Sequence, residues 1–297
     1  MTPETYHLEF ITPCFCAGAD QAVAEIRAPA IRGKLRWWFR ALGGTHCQEV
    51  EIFGTVHKEA KASAVVIRVK DFTANRKWRP IQCGGRTNTG YLLYFAKVSG
   101  YGCRWKPDGK GAIPEGSGFE IQIIWRRQPS KESRNLFDLA LECFLMLGSF
   151  GLRSTRGLGC FHCAEVPFST EKFNELKARI EKRGFLAGLG EYQGHESKLL
   201  LDALGKQLNG LRRKKGYSAG PNGSNLTPLG SSNPRQASAV YLRPVRESDN
   251  SYRIVVFEAP KEKVLGEKSG RRAPLLRGSI IPPPVDGSPG GRPPRWR

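Results

Sequence analysis

The chain has no apolar run long enough to cross a bilayer. No stretch approaches the roughly 18 consecutive apolar residues a spanning helix needs, and the opening "MTPETYHLEF" has neither the basic start nor the apolar run of a secretory signal. Cysteine is sparse, with eight among 297 residues. That is too thin for a disulfide framework, so few or no disulfides and a cytoplasmic setting are expected. Acid is scarce relative to base: 27 Asp and Glu stand against 47 Lys and Arg, a formal charge of +20. Such an imbalance calls for a polyanionic partner. A membrane surface fits poorly, which leaves nucleic acid.

Several catalytic signatures are missing too. The glycine-rich stretch "GSFGLRSTRGLGCF" lacks the Gly-Lys-Ser/Thr ending of a Walker loop and follows a helix rather than a strand, so nucleotide hydrolysis is disfavoured. Paired carboxylates with nuclease spacing are absent. Cys160 and Cys163 form one CxxC, and Cys14 and Cys16 could add two ligands if the first and last strands were neighbours. No second CxxC at finger spacing exists, however, and these sites suit small buried residues equally well, so neither a metal nor a cofactor is expected. Of the histidines (His7, His46, His57, His162 and His195), His46 is the best placed to act as a general base. No Tyr, Lys or second His accompanies it as a constellation.

What is present reads as two domains, both large enough to bury a core. Strands are expected at Tyr6 to Cys16, Ala62 to Phe72, Tyr91 to Val98 and Gly118 to Arg127. A helix is expected from about Arg32 to Leu42, stopped by Gly43 and Gly44, and a second, capped by Ser130, from Glu132 to Leu147. A strand in "CFHCAEVPF" follows the glycine-rich loop. The order is the ferredoxin-like βαββαβ pattern, shared by RNA-recognition domains, over residues 1–168. Residues 169–281 supply two helices (Glu171 to Arg183 and Glu196 to Leu211), a polar linker from Ser218 to Asn233, and strands in "ASAVYLRPV" and "YRIVVFEAP". Only half of a second such unit is visible there. The Pro/Gly-rich basic end, 282–297, has the composition of a disordered tail.

Two segments concentrate the chemistry. "EIRAPAIRGKLRWWFRALGG" sets Arg27, Arg32, Lys34, Arg36 and Arg40 around Trp37 and Trp38. On a helical wheel Leu35, Trp38, Phe39 and Leu42 make a core face, Arg32, Arg36 and Arg40 an adjoining stripe, and Trp37 points away from the core, toward a base or another protein surface. Asp and Glu are absent from Ala28 to Thr45, so the stripe is expected to be unneutralised and to bind an anion. In the glycine loop, Gly148, Gly151, Gly157 and Gly159 interrupt Arg153, Ser154 and Arg156. Backbone amides and guanidinium groups of that kind can cradle phosphate oxygens.

Together "RAPAIRGKLRWWFRAL", "IPEGSGFEIQI" and "GLRSTRGLGCF" resemble the RAMP superfamily of CRISPR proteins. The Leu-Arg-Trp-Trp-Phe-Arg run looks like the subunit-one family of the type III-B Cmr effector module. The resemblance covers about Tyr6 to Phe168, with an echo in "NPRQASAVYLRPV". It implies tandem ferredoxin-like domains, the second divergent or incomplete. It also implies a non-catalytic head subunit near the 3′ end of the guide RNA, with guide RNA, target RNA and other RAMP subunits as partners. By position it assigns RNA contact to Arg27, Arg32, Lys34, Arg36 and Arg40, and to Arg153, Ser154 and Arg156 within the loop of Gly151, Gly157 and Gly159; Trp37 would meet a base or a neighbouring subunit. The alternatives are a metal-independent endoribonuclease of the guide-processing type using His46, and a stand-alone RNA-binding protein.

Overall fold

Strict alternation lays the first sheet. In β3 (Gly118–Trp125) every second side chain is buried, so Phe119, Ile121, Ile123 and Trp125 face one side. A computed structural model describes residues 2–16, 24–56, 60–75, 88–93, 112–213, 229–232 and 235–264. β3 pairs antiparallel with β1 (Glu4–Phe10) and β2 (Val65–Thr73), and β1 pairs antiparallel with β4 (Phe161–Cys163), giving the order β2-β3-β1-β4. β1 ends at Phe10, short of the expected Cys16. Beyond it the chain runs irregularly, and Cys14 makes an isolated bridge to Ile113.

Two helices cover the buried face. α1 (Ala28–Ala41) begins four residues before the expected start, because Pro29 sits in its first turn, where no backbone N–H is needed. Gly43, at φ +103, takes the left-handed stop. α2 (His46–Phe53) was not expected, although Thr45 and Gln48 form a reciprocal capping box at its start. A short helix, α3 (Asn88–Leu92), occupies the start of the segment expected to be the strand Tyr91 to Val98. Local apolar content suggested a strand there, but Leu92 and Leu93 are buried in a core with Leu200, Leu204 and Leu208; the rest of that segment lies outside the described residues. α4 (Lys131–Leu147) is capped by Ser130 as expected and is buried along most of its length.

The second half adds α5 (Thr170–Glu181), β5 (Leu186–Gly194) and α6 (Ser197–Arg213). It continues with a two-residue ladder of β6 (Ser231–Ser232) and β7 (Arg235–Gln236), then β8 (Val240–Arg246), β9 (Tyr252–Glu258) and α7 (Lys261–Val264). β5, β9 and β8 form a three-stranded antiparallel sheet in the order β5-β9-β8. β5 was not anticipated, since "LAGLGEYQG" is glycine-rich and weakly alternating. The main core crosses between the halves. Trp38 of α1 stacks on Phe185 at 5.6 Å and meets Phe257 of β9 at 5.3 Å. Leu92 and Leu93 share a second core with Leu200, Leu204 and Leu208 of α6, and Asn209 donates to Asn88 at 3.1 Å. The tail 282–297 and most of the loop and linker expected at Gly100 to Gly116 and Ser218 to Asn233 lie outside the described residues. No helix among the described residues is long and apolar enough to cross a membrane.

Candidate nucleic-acid interface

At about 100° per residue, α1 has a buried face of Ile31, Leu35, Trp38 and Phe39 and two polar flanks. Arg32, Arg36 and Arg40 lie on one flank, and Lys34 falls on the other. The arginine flank meets α2. Buried Glu49 accepts from Arg36 Nε at 2.7 Å and from Arg40 Nε at 2.6 Å, with a further 2.5 Å contact from the terminal nitrogen of each. Arg32 donates to the carbonyl of Phe53 at the end of α2, while its Nε has no hydrogen-bond partner among the described residues. Burial, and then the charge on Arg36, work against its proton. The expectation of an unneutralised stripe is therefore corrected, since the acid missing from Ala28 to Thr45 enters from the next helix. Burial alone would raise the Glu49 carboxyl, but hydrogen bonds from Arg40 and Arg36 outweigh it and hold Glu49 below the usual carboxylate range. One carboxylate, bound by two of the three guanidinium groups, leaves the flank positively charged. Arg27, just before α1, is exposed.

The other flank meets the glycine loop. Lys34 Nζ donates to Ser154 Oγ at 3.1 Å, so the two segments do converge, but through this one cation. Burial, and then the charge on Arg243, pull Lys34 down to about 8. The loop itself is strapped into the protein. Gly159 N donates to Pro13 O at 2.9 Å and Leu152 N to Phe15 O at 2.8 Å, both on the irregular segment after β1. Gly151 and Gly159 have φ +86 and +64, and a Cβ on either would press into a neighbouring backbone carbonyl, that of Phe15 or Phe150. Gly157 lies against Leu204 and Pro244. On the far side, buried Arg156 donates to Leu229 O and bridges to Leu242. Ser154 is buried as well. Arg153, at φ +54, is half-buried beside the exposed Leu152.

The phosphate cradle expected of Ser154, Arg156, Gly151, Gly157 and Gly159 is corrected accordingly: the loop's glycines serve close backbone packing and its buried polar groups serve internal bonds. Arg243 of β8, which sequence reasoning passed over, completes the strap. It donates to Leu147 O at 2.8 Å and to Ser154 O, and its guanidinium lies 4.9 Å from the Tyr241 ring and 5.4 Å from that of Phe257. A lone arginine in a strand carried no signal beyond its place in the "YLRPV" echo. Trp37 also turns inward. It packs at 5.0 Å on Tyr241 and at 5.0 Å edge-on against Trp38, so the expectation that it points away from the core is corrected: its ring makes a contact between the halves of the chain.

The RAMP superfamily model matches residues 7–162, which take in α1 and the glycine loop. The chain belongs to the RAMP superfamily. The CRISPR system Cmr subunit Cmr1-1 of Pyrococcus furiosus is 26% identical over 292 residues, covering 90% of this chain and 79% of that protein. Cmr1-2 of the same organism is 38% identical over 176 residues, covering 52% of this chain and 91% of its own length. Among solved structures, apo Cmr1 from Pyrococcus furiosus matches with a TM-score of 0.60 and 23% identity over 87% of this chain and 88% of that one, a shared fold. This RAMP protein is thus similar to Cmr subunit 1.

The remaining candidates for chemistry in this RAMP protein are dispersed. Cys14 and Cys16 sulfurs lie 3.5 Å apart as free thiols, whereas Cys163 turns to Glu165 at 3.4 Å. Among the described residues no group of three or more His, Cys, Asp or Glu side chains could hold a metal ion. His46 stands exposed on the first turn of α2, and no hydrogen bond joins its ring to another described side chain.

Proposed function

We propose that this RAMP protein is a non-catalytic head subunit of a type III-B CRISPR effector. It would hold guide RNA near its 3′ end, and target RNA, among other RAMP subunits in the cytoplasm. Its contact with RNA would rest on backbone charge and shape, with sequence read by the guide. The observation that carries the reading is the arginine flank of α1, where three guanidinium groups face a single carboxylate that binds two of them, on a chain of formal charge +20. The likeness to Cmr subunits supplies the setting. We read the first half as a ferredoxin-like unit, supported by the order β2-β3-β1-β4 with every neighbour antiparallel, and the second as its divergent partner.

The test is RNA binding by the full chain. A labelled single-stranded RNA, titrated at several salt concentrations, is compared with a variant in which Arg32, Arg36, Arg40 and Glu49 are all replaced by Gln, which avoids leaving Glu49 buried and alone. The variant should bind at least tenfold more weakly, with a salt slope flatter by about two phosphates. The RNA should stay intact in EDTA. Unchanged affinity and slope would overturn the reading, and cleavage lost on His46→Ala would replace it with the endoribonuclease.

A further inference from the structure

On the outer side of the arginine flank, α1 and residues 53–56 and 61–63, between α2 and β2, line an open cleft of about 520 Å³. That volume lies within the range of small-ligand sites. Three cations line it, Arg32, Arg36 and Lys61, and no carboxylate does among the described residues. Of the described acids nearby, Glu49 is bound to Arg36 and Arg40, and Glu51, which feels the charge of Lys61, is held by Ser130 and Ser133. The segment is pinched at its foot, with Thr55 and Lys61 exchanging both backbone hydrogen bonds at 2.9 and 2.8 Å. Beside this bridge Val56 is 97% exposed, the most exposed large apolar side chain among the described residues. The helix wall opposite is open as well: Gly33 presents bare backbone, with nothing within 4 Å of where its Cβ would be.

Cations beside an exposed apolar side chain, with no acid among the described lining residues, match a ligand that is anionic at one end and apolar at the other. We propose that this cleft seats one unstacked nucleotide of single-stranded RNA, its phosphate among Arg32, Arg36 and Lys61 and its base against Val56 and Pro29. The assignment rests on the RNA-binding reading above and sharpens it. A base held in a duplex stack cannot enter, so the cleft favours unpaired RNA.

Gly33→Leu tests it without touching a charge. Leucine is a better helix former than glycine, the position has open space, and Gly33 lines the cleft, so the added side chain takes up part of it. Binding is measured by anisotropy with a single-stranded 12-mer RNA and with the same RNA annealed to its complement, alongside Lys61→Ala. Gly33→Leu should weaken the single strand about tenfold, in line with the worth of one base contact, and change the duplex less than twofold; Lys61→Ala should weaken the single strand and lower the salt slope by about one. If the unaltered chain binds single strands and both variants bind them equally well, the cleft assignment fails while the RNA-binding reading stands. If the unaltered chain binds no RNA, that reading fails and takes the cleft with it. A Gly33→Leu chain that keeps its RNA affinity but no longer joins other subunits would assign the cleft to a protein partner and overturn the proposal.

Discussion

The two flanks of α1 carry cations of similar origin and use them differently. On the α2 side, Arg36 and Arg40 keep side chains 38% and 55% exposed, so water still screens them and a single buried carboxylate satisfies both only in part. On the loop side, Lys34 is pressed onto Ser154, and beyond it Arg156 and Arg243 are buried and bonded to carbonyl oxygens. A cation half in water can exchange its partner for a phosphate at little cost, whereas a buried one bound to backbone carbonyls cannot leave without orphaning them. Both sides carry cations, and depth decides which charge is available to a partner.

The largest effect that would break this contrast is expected in the loop. Gly159→Ala forces a Cβ into the Phe150 carbonyl at a residue held at φ +64, and should cost about 4 kcal/mol or more, read as a collapse of the urea midpoint. Gly33→Ala, on the open side of α1, should instead stabilise by about 0.5–1 kcal/mol. A folded Gly159→Ala chain that has lost only its RNA affinity would return the loop to ligand binding.

Next comes the shared carboxylate. Glu49→Gln removes the charge that holds Arg36 and Arg40. Because both guanidinium groups can rehydrate, the stability loss should be about 1–2 kcal/mol rather than the 3–5 kcal/mol of a fully buried pair. RNA affinity should rise severalfold and the salt slope steepen by about one. Glu49 is held below the usual carboxylate range, so its contribution is present above the ordinary carboxylate pKa and is lost as pH falls through the lower folded value. That acid-side loss should be smaller in the variant, and denaturation between pH 6 and 3 measures it.

β3 and α4 were legible because β3 alternates cleanly and Ser130 caps α4, both local signals. α2 carried its signal in Thr45 and Gln48, although its short apolar content hid it. β5 was illegible for a physical reason: a glycine-rich strand gains its stability from pairing with β9, which is distant in sequence. The site divides along the same line. That Arg32, Arg36 and Arg40 form a stripe followed from helical spacing. That Glu49 would meet them, that Trp37 would fold onto Tyr241, and that Arg243 would hold Ser154 all depend on tertiary placement, which no window of sequence contains.

The smallest expected effect tests the loop flank by its pH dependence. Lys34 is brought down to about 8 by burial and by Arg243, against an ordinary lysine value near 10.4. Below pH 8 Lys34 is charged both folded and unfolded, and the full cost of burying its charge is present. Between about 8 and 10.4 the unfolded chain binds more of this proton than the folded one, so stability gained at Lys34 rises with pH and levels off above the unfolded value. Lys34→Met removes the charge while keeping the packing and sacrifices one hydrogen bond to Ser154, so a net gain of about 1 kcal/mol is expected at pH 7. Subtracting the two unfolding curves across pH 7 to 10.5 cancels the thiols common to both proteins, and the gap should close steadily. If Lys34 faced solvent as the outer arginines do, the gap would stay flat, RNA affinity would drop with the lost charge, and the contrast between the flanks would be gone.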